Sequence, residues 1–196
     1  MISVIIGGSG SGKSEYAEDY VVQCAKNDGS RLIYIATMKP FDEESKLRIK
    51  KHQSMRQDKN FTTIECFTDL KMLEVESHTS ILLECMSNLV ANEMFSKNEA
   101  ETVAEHVKVN VARNIVVEEI MIGLNQLIQK SENVVIVTNN IFEDGNSYDS
   151  TTLEYMKTLG EINQRICSRA DQVIEVVHGI PIIIRDNSNN SGINME

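Results

Sequence analysis

The chain has 196 residues, a formal net charge of −10 and an apolar content of 41%. This length and composition predict one domain with a hydrophobic core over residues 1–185, followed by a frayed Asn/Ser-rich tail over 186–196. The acidic balance argues against a general nucleic-acid binder, which needs a basic face. No apolar run approaches the ~20 residues of a membrane span, and no signal peptide is visible, so we expect a cytoplasmic protein.

The first fourteen residues carry the most informative motif. An apolar, strand-like run over Met1–Ile6 leads into Gly7–Ser14, which fits the G-x-x-x-x-G-K-S pattern of a P-loop. Glycines let backbone N–H groups face a phosphate chain, Lys13 adds positive charge, and the Ser14 hydroxyl can hold Mg²⁺. A helix over Glu15–Lys26 would direct its N-terminus at the same anion. The predicted nucleotide-binding residues of this loop are Gly7, Gly8, Ser9, Gly10, Ser11, Gly12, Lys13 and Ser14.

Apolar strand-like runs then alternate with helical stretches along the chain. This alternation predicts an α/β fold of the P-loop NTPase type, with a mostly parallel sheet, helices on both faces and a C-terminal antiparallel hairpin or edge strand. The four cysteines are widely spaced and predict free thiols. The predicted strands are Arg31–Ala36, Phe61–Cys66, Ser80–Cys85, Asn133–Thr138, Gln172–His178 and Ile180–Arg185. The predicted helices are Asp42–Met55, Glu99–Lys130 and Thr151–Ala170.

Active residues of a parallel α/β sheet gather at the carboxyl ends of the strands. This rule predicts one crevice that contains Gly7–Ser14, Ala36–Met38, Glu65, Glu84 and Asn139–Asn140. Glu84 closes an apolar strand, where a P-loop protein holds Mg²⁺, often through water, or positions a nucleophile. The alternative is that Glu84 only marks the end of its strand.

His52 lies in a basic segment of this acidic chain. On a helix, Arg48 and Arg56 would fall on the same side as His52, at i−4 and i+4. Neighbouring cations lower the pKa of an imidazole, favour its neutral nucleophilic form, and attract a triphosphate. Composition alone favours the plainer interpretation, a solvated basic face with an incidental histidine.

Several spaced segments together resemble a known family, the bifunctional adenosylcobinamide kinase / adenosylcobinamide-phosphate guanylyltransferase family of cobalamin biosynthesis. The resemblance covers Met1 to Arg185. After the P-loop, the segments that carry it are Ile35-Ala36-Thr37, Asp42-x-Glu44-x-x-x-Arg48-Ile49-x-x-His52-x-x-x-Arg56, Glu65-Cys66, Leu82–Cys85, Val137–Asn139, Gly160-x-x-Asn163-Gln164, Ala170-Asp171-x-Val173 and Gly179–Pro181.

The resemblance implies two reactions on one corrinoid substrate, with GTP or ATP as phosphate donor and Mg²⁺ as cofactor. A nucleoside triphosphate phosphorylates adenosylcobinamide; GTP then guanylylates His52, and the GMP passes to adenosylcobinamide phosphate. Lys13 would assist the departing pyrophosphate, Ser14 and Glu84 would hold Mg²⁺, and Glu65 or Glu84 would select guanine. The resemblance also implies a homo-oligomer, with a trimer as the associated form. The nucleotide contacts that it implies outside the P-loop are Ala36, Thr37, Met38, Gln53, Ser54, Met55, Arg56, Glu65 and Glu84.

The chain departs from the family pattern at three places. Gly10 stands where arginine is usual, Gln57 replaces a proline, and Asn140–Asn146 replaces a loop that begins with glutamate. Two alternative functions therefore stay open: a GTP-binding paralogue that has lost one or both activities, and a P-loop kinase of another small molecule.

Overall fold

The computed structural model describes residues 1–96, 107–142 and 147–187. Its strands are β1 Ile2–Gly7, β2 Arg31–Ala36, β3 Thr62–Glu65, β4 Thr79–Glu84, β5 Asn133–Asn139, β6 Gln172–Val177 and β7 Ile180–Asp186. Its helices are α1 Lys13–Asp28, α2 Glu43–Met55, α3 Met86–Ser96, α4 Val107–Lys130 and α5 Ser150–Arg169, with a 3-10 turn at Leu70–Met72.

The described strands form one sheet in the order β3-β2-β4-β5-β1-β6-β7. Neighbouring strands are parallel except β6 and β7, which form an antiparallel pair at the edge. The predicted fold class is therefore confirmed, including the C-terminal hairpin. The order matters for function because it brings the carboxyl ends of β2, β4, β5 and β1 side by side.

Alternating residues of the buried strands pack into two separate hydrophobic layers, one on each face of the sheet. Ile5 and Leu82 pack with α1 residues such as Val21 on one face of the sheet. Val4 and Leu83 pack on the other face, in the layer that contains α3, α4 and α5. Helix α2 belongs to neither layer and has no buried residue. It is a peripheral element, and its inner side shares a cleft with residues at the ends of β2, β3 and β4.

Helix α3 is absent from the predicted elements. The helical period of apolar residues is hard to recognise in its sequence because two polar residues, Asn92 and Glu93, occupy buried positions. Asn92 occupies a core position because its Nδ2 donates to the carbonyl oxygen of Thr37 at 2.8 Å. Helix α4 agrees with the second part of the predicted helix Glu99–Lys130; residues 99–106 of that prediction lie outside the described residues.

The remaining predictions of organisation have mixed outcomes. All four cysteines are free thiols, as predicted. Strand β7 runs through Asp186, one residue into the predicted tail, and residues 188–196 lie outside the described residues. The division of the chain at residue 185 stays a prediction. No helix in the described parts of the chain combines the length and apolar character needed to cross a bilayer.

We expect Gly123→Ala to destabilise the fold because Gly123 is where α4 crosses the 3-10 turn. A Cβ at this position would lie 2.6 Å from the Lys71 backbone nitrogen and 2.7 Å from the Leu70 carbonyl carbon. Relief of such an overlap requires a backbone shift, and we expect the free energy of unfolding to fall by about 1–3 kcal/mol. Urea denaturation followed by circular dichroism measures the change.

The matched control is Gly160→Ala in α5. The nearest atom that a Cβ would meet there is a ring carbon of Phe142 at 3.5 Å, an ordinary contact. Because alanine also favours helix more than glycine does, this variant should be neutral or stabilised by up to about 1 kcal/mol. Equal stability of the two variants would contradict the assigned role of Gly123.

Candidate active site

The P-loop joins the end of β1 to the start of α1. Gly10 and Gly12 have φ values of 71° and 89°, a left-handed conformation that favours glycine. The Gly179 N–H donates to the Ser11 carbonyl oxygen at 2.7 Å, so the β6–β7 turn fixes the loop from outside. The loop is thus a defined turn between β1 and α1 that is held by a hydrogen bond from the β6–β7 turn.

Lys13 and Ser11 carry the polar side-chain atoms buried in this loop. Lys13 is only 8% exposed, and its Nζ donates to the Gly8 carbonyl oxygen at 3.0 Å. The Ser11 Oγ is buried without a hydrogen-bond partner among the described residues. The loop therefore concentrates a cation and donor groups around one small space, as an anion site requires.

Glu84 and Ser14 meet at the far side of the loop. The Ser14 hydroxyl donates to Glu84 Oε1 at 2.9 Å, whereas Glu84 Oε2 is buried with no partner in the described parts of the chain. Burial raises the pKa of Glu84 to about 7, although the Ser14 hydrogen bond and the charge of Lys13 act to lower it. A carboxylate in this state gains stability from any cation that binds beside it.

Thr37 holds the end of β4 and so positions Glu84. Its Oγ1 accepts from the Cys85 N–H at 2.7 Å and lies 3.0 Å from the Glu84 carbonyl oxygen. Its own N–H donates to that Glu84 oxygen, and its carbonyl accepts from Asn92. The predicted nucleotide contact of Thr37 stays a prediction, but its polar groups are already engaged within the protein.

A cleft of about 260 Å³ lies between α2 and the carboxyl ends of β2, β3 and β4; we call it the nucleotide cleft. It brings together most of the predicted site residues outside the P-loop. Ser54 and Met55 do not line it, and the Ser54 hydroxyl bonds the Lys51 carbonyl oxygen at 2.8 Å. The predicted residues that line the cleft are Ala36, Met38, His52, Gln53, Arg56, Glu65 and Glu84.

His52 is half-buried on the inner side of α2. Its Nδ1 is buried and has no hydrogen-bond partner among the described residues. Burial lowers the pKa of His52 below its usual value, and the charges of Arg56, Lys51, Lys13 and Arg48 lower it further. The imidazole is therefore mainly neutral at pH 7, and Lys13 of the P-loop is near enough to contribute to the lowered pKa.

Arg56 follows α2 and is held against the sheet. It is 8% exposed, its guanidinium lies 4.0 Å from the centre of the Tyr34 ring, and its Nε donates to Thr63 Oγ1 at 3.4 Å. Stacking on an aromatic face fixes a guanidinium without neutralising it. Arg56 therefore presents a fixed positive charge to the nucleotide cleft.

The end of strand β5 contributes backbone N–H groups to the region beside the P-loop. The Asn140 N–H donates to the Gly7 carbonyl oxygen at 3.1 Å, and the Asn139 N–H donates to Ser87 Oγ at 3.1 Å. Asn139–Asn140 thus adjoins the P-loop, as the strand-end rule predicts. Residues 143–146 of the altered segment lie outside the described residues.

Comparison with known proteins gives a family for this arrangement. The family model described as cobinamide kinase / cobinamide phosphate guanyltransferase matches residues 3–184. The chain belongs to this family. It is 29% identical over 188 residues to the bifunctional adenosylcobalamin biosynthesis protein CobU of Salmonella typhimurium, with 94% of this chain and 100% of that protein covered. The Escherichia coli protein of the same name is 27% identical over 190 residues, with the same coverage.

Solved structures show more distant similarity. The flagellar accessory protein FlaH from Methanocaldococcus jannaschii has a TM-score of 0.47 and 12% identity, covering 95% of this chain and 79% of that chain. The ATPase domain of G40P has a TM-score of 0.46 and 10% identity, covering 95% of this chain and 77% of that chain.

The sequence does not predict two further contacts of this family member, one made by Tyr34 and the other by Lys59. Tyr34, the platform for Arg56, belongs to an apolar strand in which nothing marks it as part of a site. Lys59 fastens the turn after α2 to α1, with its Nζ 3.0 Å from Glu18 Oε2 and 2.7 Å from Asp19 Oδ1. Glu18 is only 1% exposed, and its place three residues before the apolar Val21 is the sequence feature that could have indicated this anchor.

Proposed function

We propose that this chain phosphorylates adenosylcobinamide and then transfers GMP from GTP, through a guanylylated His52, to adenosylcobinamide phosphate. One observation carries the proposal: a neutral histidine, whose buried Nδ1 has no partner among the described residues, shares a cleft with Glu84 and is close enough to Lys13 of the P-loop to be affected by its charge. Membership in the family makes cobinamide the acceptor.

In the first reaction, the hydroxyl of the corrinoid's aminopropanol arm attacks the γ-phosphorus of ATP or GTP. The new P–O bond forms as the bond to the β-phosphate oxygen breaks, and the nucleoside diphosphate leaves. Lys13 and the backbone N–H groups of the P-loop stabilise the charge that develops on the phosphate oxygens. The hydroxyl proton passes to solvent or to a neighbouring carboxylate.

In the second reaction, a neutral ring nitrogen of His52 attacks the α-phosphorus of GTP. A P–N bond forms, the bond to pyrophosphate breaks, and Lys13 and Arg56 stabilise the leaving group. A phosphate oxygen of adenosylcobinamide phosphate then attacks the same phosphorus, and the P–N bond breaks to give adenosylcobinamide-GDP. The low pKa of His52 favours the neutral, attacking form. The other ring nitrogen keeps its proton throughout, so the imidazole leaves as a neutral group when the P–N bond breaks.

Ser14 and Glu84 fit the Mg²⁺ that such reactions use. Both offer hard oxygen ligands, and the buried Glu84 Oε2 has no partner among the described residues. Mg²⁺ held there, directly or through water, would supply positive charge to the phosphate oxygens. Glu65 is the better candidate for the guanine edge because it is exposed in the cleft, whereas Glu84 is only partly exposed and its Oε1 already accepts from Ser14 beside the P-loop. The homo-oligomer implied by the resemblance stays a prediction.

Incubation with Mg²⁺ and GTP labelled on its α-phosphate tests the proposed function. We expect one acid-labile, alkali-stable label per chain, which is lost to the corrinoid when adenosylcobinamide phosphate is added. No label together with an active kinase step would favour a P-loop kinase instead. Absence of both reactions with retained GTP binding would favour a non-catalytic paralogue, for which the departure at Asn140 is the relevant observation.

The pH dependence of labelling offers a second prediction. Because the pKa of His52 is lowered, its nucleophilic form persists below the usual range, and the limb of the labelling rate that His52 controls should lie at acidic pH, below any limb due to Glu84, whose pKa is raised to about 7. Lys51→Gln removes one of the charges that lower this pKa, so the acid limb of the rate profile should move to higher pH. Single-turnover labelling from about pH 5 to pH 8 measures the limb.

The control for this profile is Lys26→Gln, which removes a lysine in the last turn of α1. Its acid limb should coincide with that of the unmodified protein. An acid limb that stays in place in Lys51→Gln would mean that His52 is not the group whose ionisation controls the reaction.

A further inference from the structure

A second cleft, of about 310 Å³, adjoins the nucleotide cleft; we call it the side cleft. It lies between the loop that follows β2, the first half of α2 and the first half of α3. Met38 and Asn88 line both clefts, so the two spaces meet across these side chains. A ligand in the side cleft would therefore reach toward the space beneath His52.

The charges of the two clefts differ. Three cations, Lys46, Lys50 and Arg56, outnumber the two carboxylates of the nucleotide cleft. The side cleft has two cations and two carboxylates, and both carboxylates have partners. Glu44 pairs with Arg48, and Asp42 caps α2 by accepting from the Ser45 N–H at 2.7 Å. The balanced lining suits a neutral, hydrogen-bonding group better than a triphosphate.

Two large apolar side chains, Met38 and Phe41, line the side cleft. Phe41 is 80% exposed. A cleft of this volume holds a side arm of a large ligand rather than a macrocycle. The macrocycle would remain outside, where the Phe41 ring offers a flat surface for packing.

Asn88 stands at the junction of the two clefts. It is half-buried in the first turn of α3, and its carboxamide makes no hydrogen bond that is evident within the described residues. A carboxamide both donates and accepts, so it can bind a terminal hydroxyl and, later, a phosphate at the same place. The two proposed reactions require this, because the product of the first is the acceptor of the second.

We propose that the side cleft binds the aminopropanol arm of the corrinoid, with the macrocycle packed on Phe41 and the arm's terminus oriented by Asn88. The arm then points from the side cleft into the nucleotide cleft, where its hydroxyl or phosphate meets the phosphorus under attack. The identity of the ligand rests on the proposed function, whereas the location rests on the two adjoining clefts.

Equilibrium binding of adenosylcobinamide tests this location without any turnover. The corrin absorbs visible light, so ultrafiltration gives the bound fraction directly. We expect Phe41→Ala and Asn88→Ala each to raise the Kd about fivefold to tenfold, the effect of losing one aromatic contact or one hydrogen bond. The rate of His52 labelling by GTP in the absence of corrinoid should be unchanged in Phe41→Ala, because Phe41 does not line the nucleotide cleft.

Phe95→Ala is the matched control because Phe95 is an exposed phenylalanine of α3, 43% exposed, that lines neither cleft. Its corrinoid Kd should equal that of the unmodified protein. Unchanged binding in Phe41→Ala and Asn88→Ala, or an equal loss in Phe95→Ala, overturns the location. Absence of the GMP label alongside weakened corrinoid binding in the two cleft variants would instead refute the proposed guanylyl transfer and support the location.

Discussion

His52→Asn is expected to abolish the covalent GMP label and to leave the kinase step active. Asparagine is polar and fits the space of the imidazole, but its carboxamide nitrogen is not a nucleophile. Because the proposed GMP transfer passes entirely through a P–N bond to His52, its rate should fall at least about a thousandfold. The γ-phosphoryl transfer needs the P-loop and the acceptor hydroxyl, so it should remain within a few-fold of the original rate.

The two activities are measured on the same preparation, one by α-labelled GTP and the other by phosphorylation of adenosylcobinamide. His78→Asn is the control, because His78 is an exposed histidine that contacts Glu132 at the opposite end of β4. It should retain both activities. Undiminished labelling of His52→Asn would show that another side chain carries the GMP, and loss of the kinase step as well would show that His52 does more than accept it.

The sheet and the P-loop could be predicted because both follow from local patterns. Runs such as Val134–Val137 are buried on both faces and so contain no polar residue. Strand ends in a parallel sheet share one edge, which is why Glu84 and Ser14, seventy positions apart, are expected near each other and do form a hydrogen bond. Here a one-dimensional pattern and a simple topological rule are sufficient.

The parts that could not be predicted depend on tertiary contacts. Helix α3 satisfies the buried polar groups of Asn92 through the backbone of Thr37, a partner fifty-five positions away. The apolar residues of β7 predict a strand, but the pattern does not indicate that they are exposed; Ile183, for example, is 63% exposed. Sequence periodicity contains no information about such tertiary contacts. Neither α3 nor the side cleft beside it could therefore be predicted from the sequence.

The basic segment illustrates how environment decides between two interpretations of the same residues. Composition favours a solvated basic face, and Arg48 does remain exposed in a pair with Glu44. Arg56, by contrast, is buried over Tyr34, and burial lowers the pKa of His52. The placement of α2 over the strand ends, rather than the cation count, therefore makes this histidine a candidate nucleophile.

Lys13→Met is expected to impair both reactions, in contrast to the selective loss in His52→Asn. Methionine retains an unbranched apolar stem in a position that is only 8% exposed, so the loop should remain folded. Loss of the charge removes the cation that we propose for the outer phosphates, and each rate should fall about a hundredfold to a thousandfold. Loss of this charge also raises the pKa of Glu84 further, which weakens binding of any cation at Ser14 and Glu84.

Lys26→Met is the control on the same helix, and it should leave both rates unchanged. Thermal unfolding of both variants separates lost chemistry from lost folding. A Lys13→Met protein that still acquires the GMP label at the original rate would place the pyrophosphate outside the P-loop, and the two reactions would then need two triphosphate sites. Equal losses in both assays instead support a single P-loop that serves both transfers, with His52 needed for only one of them.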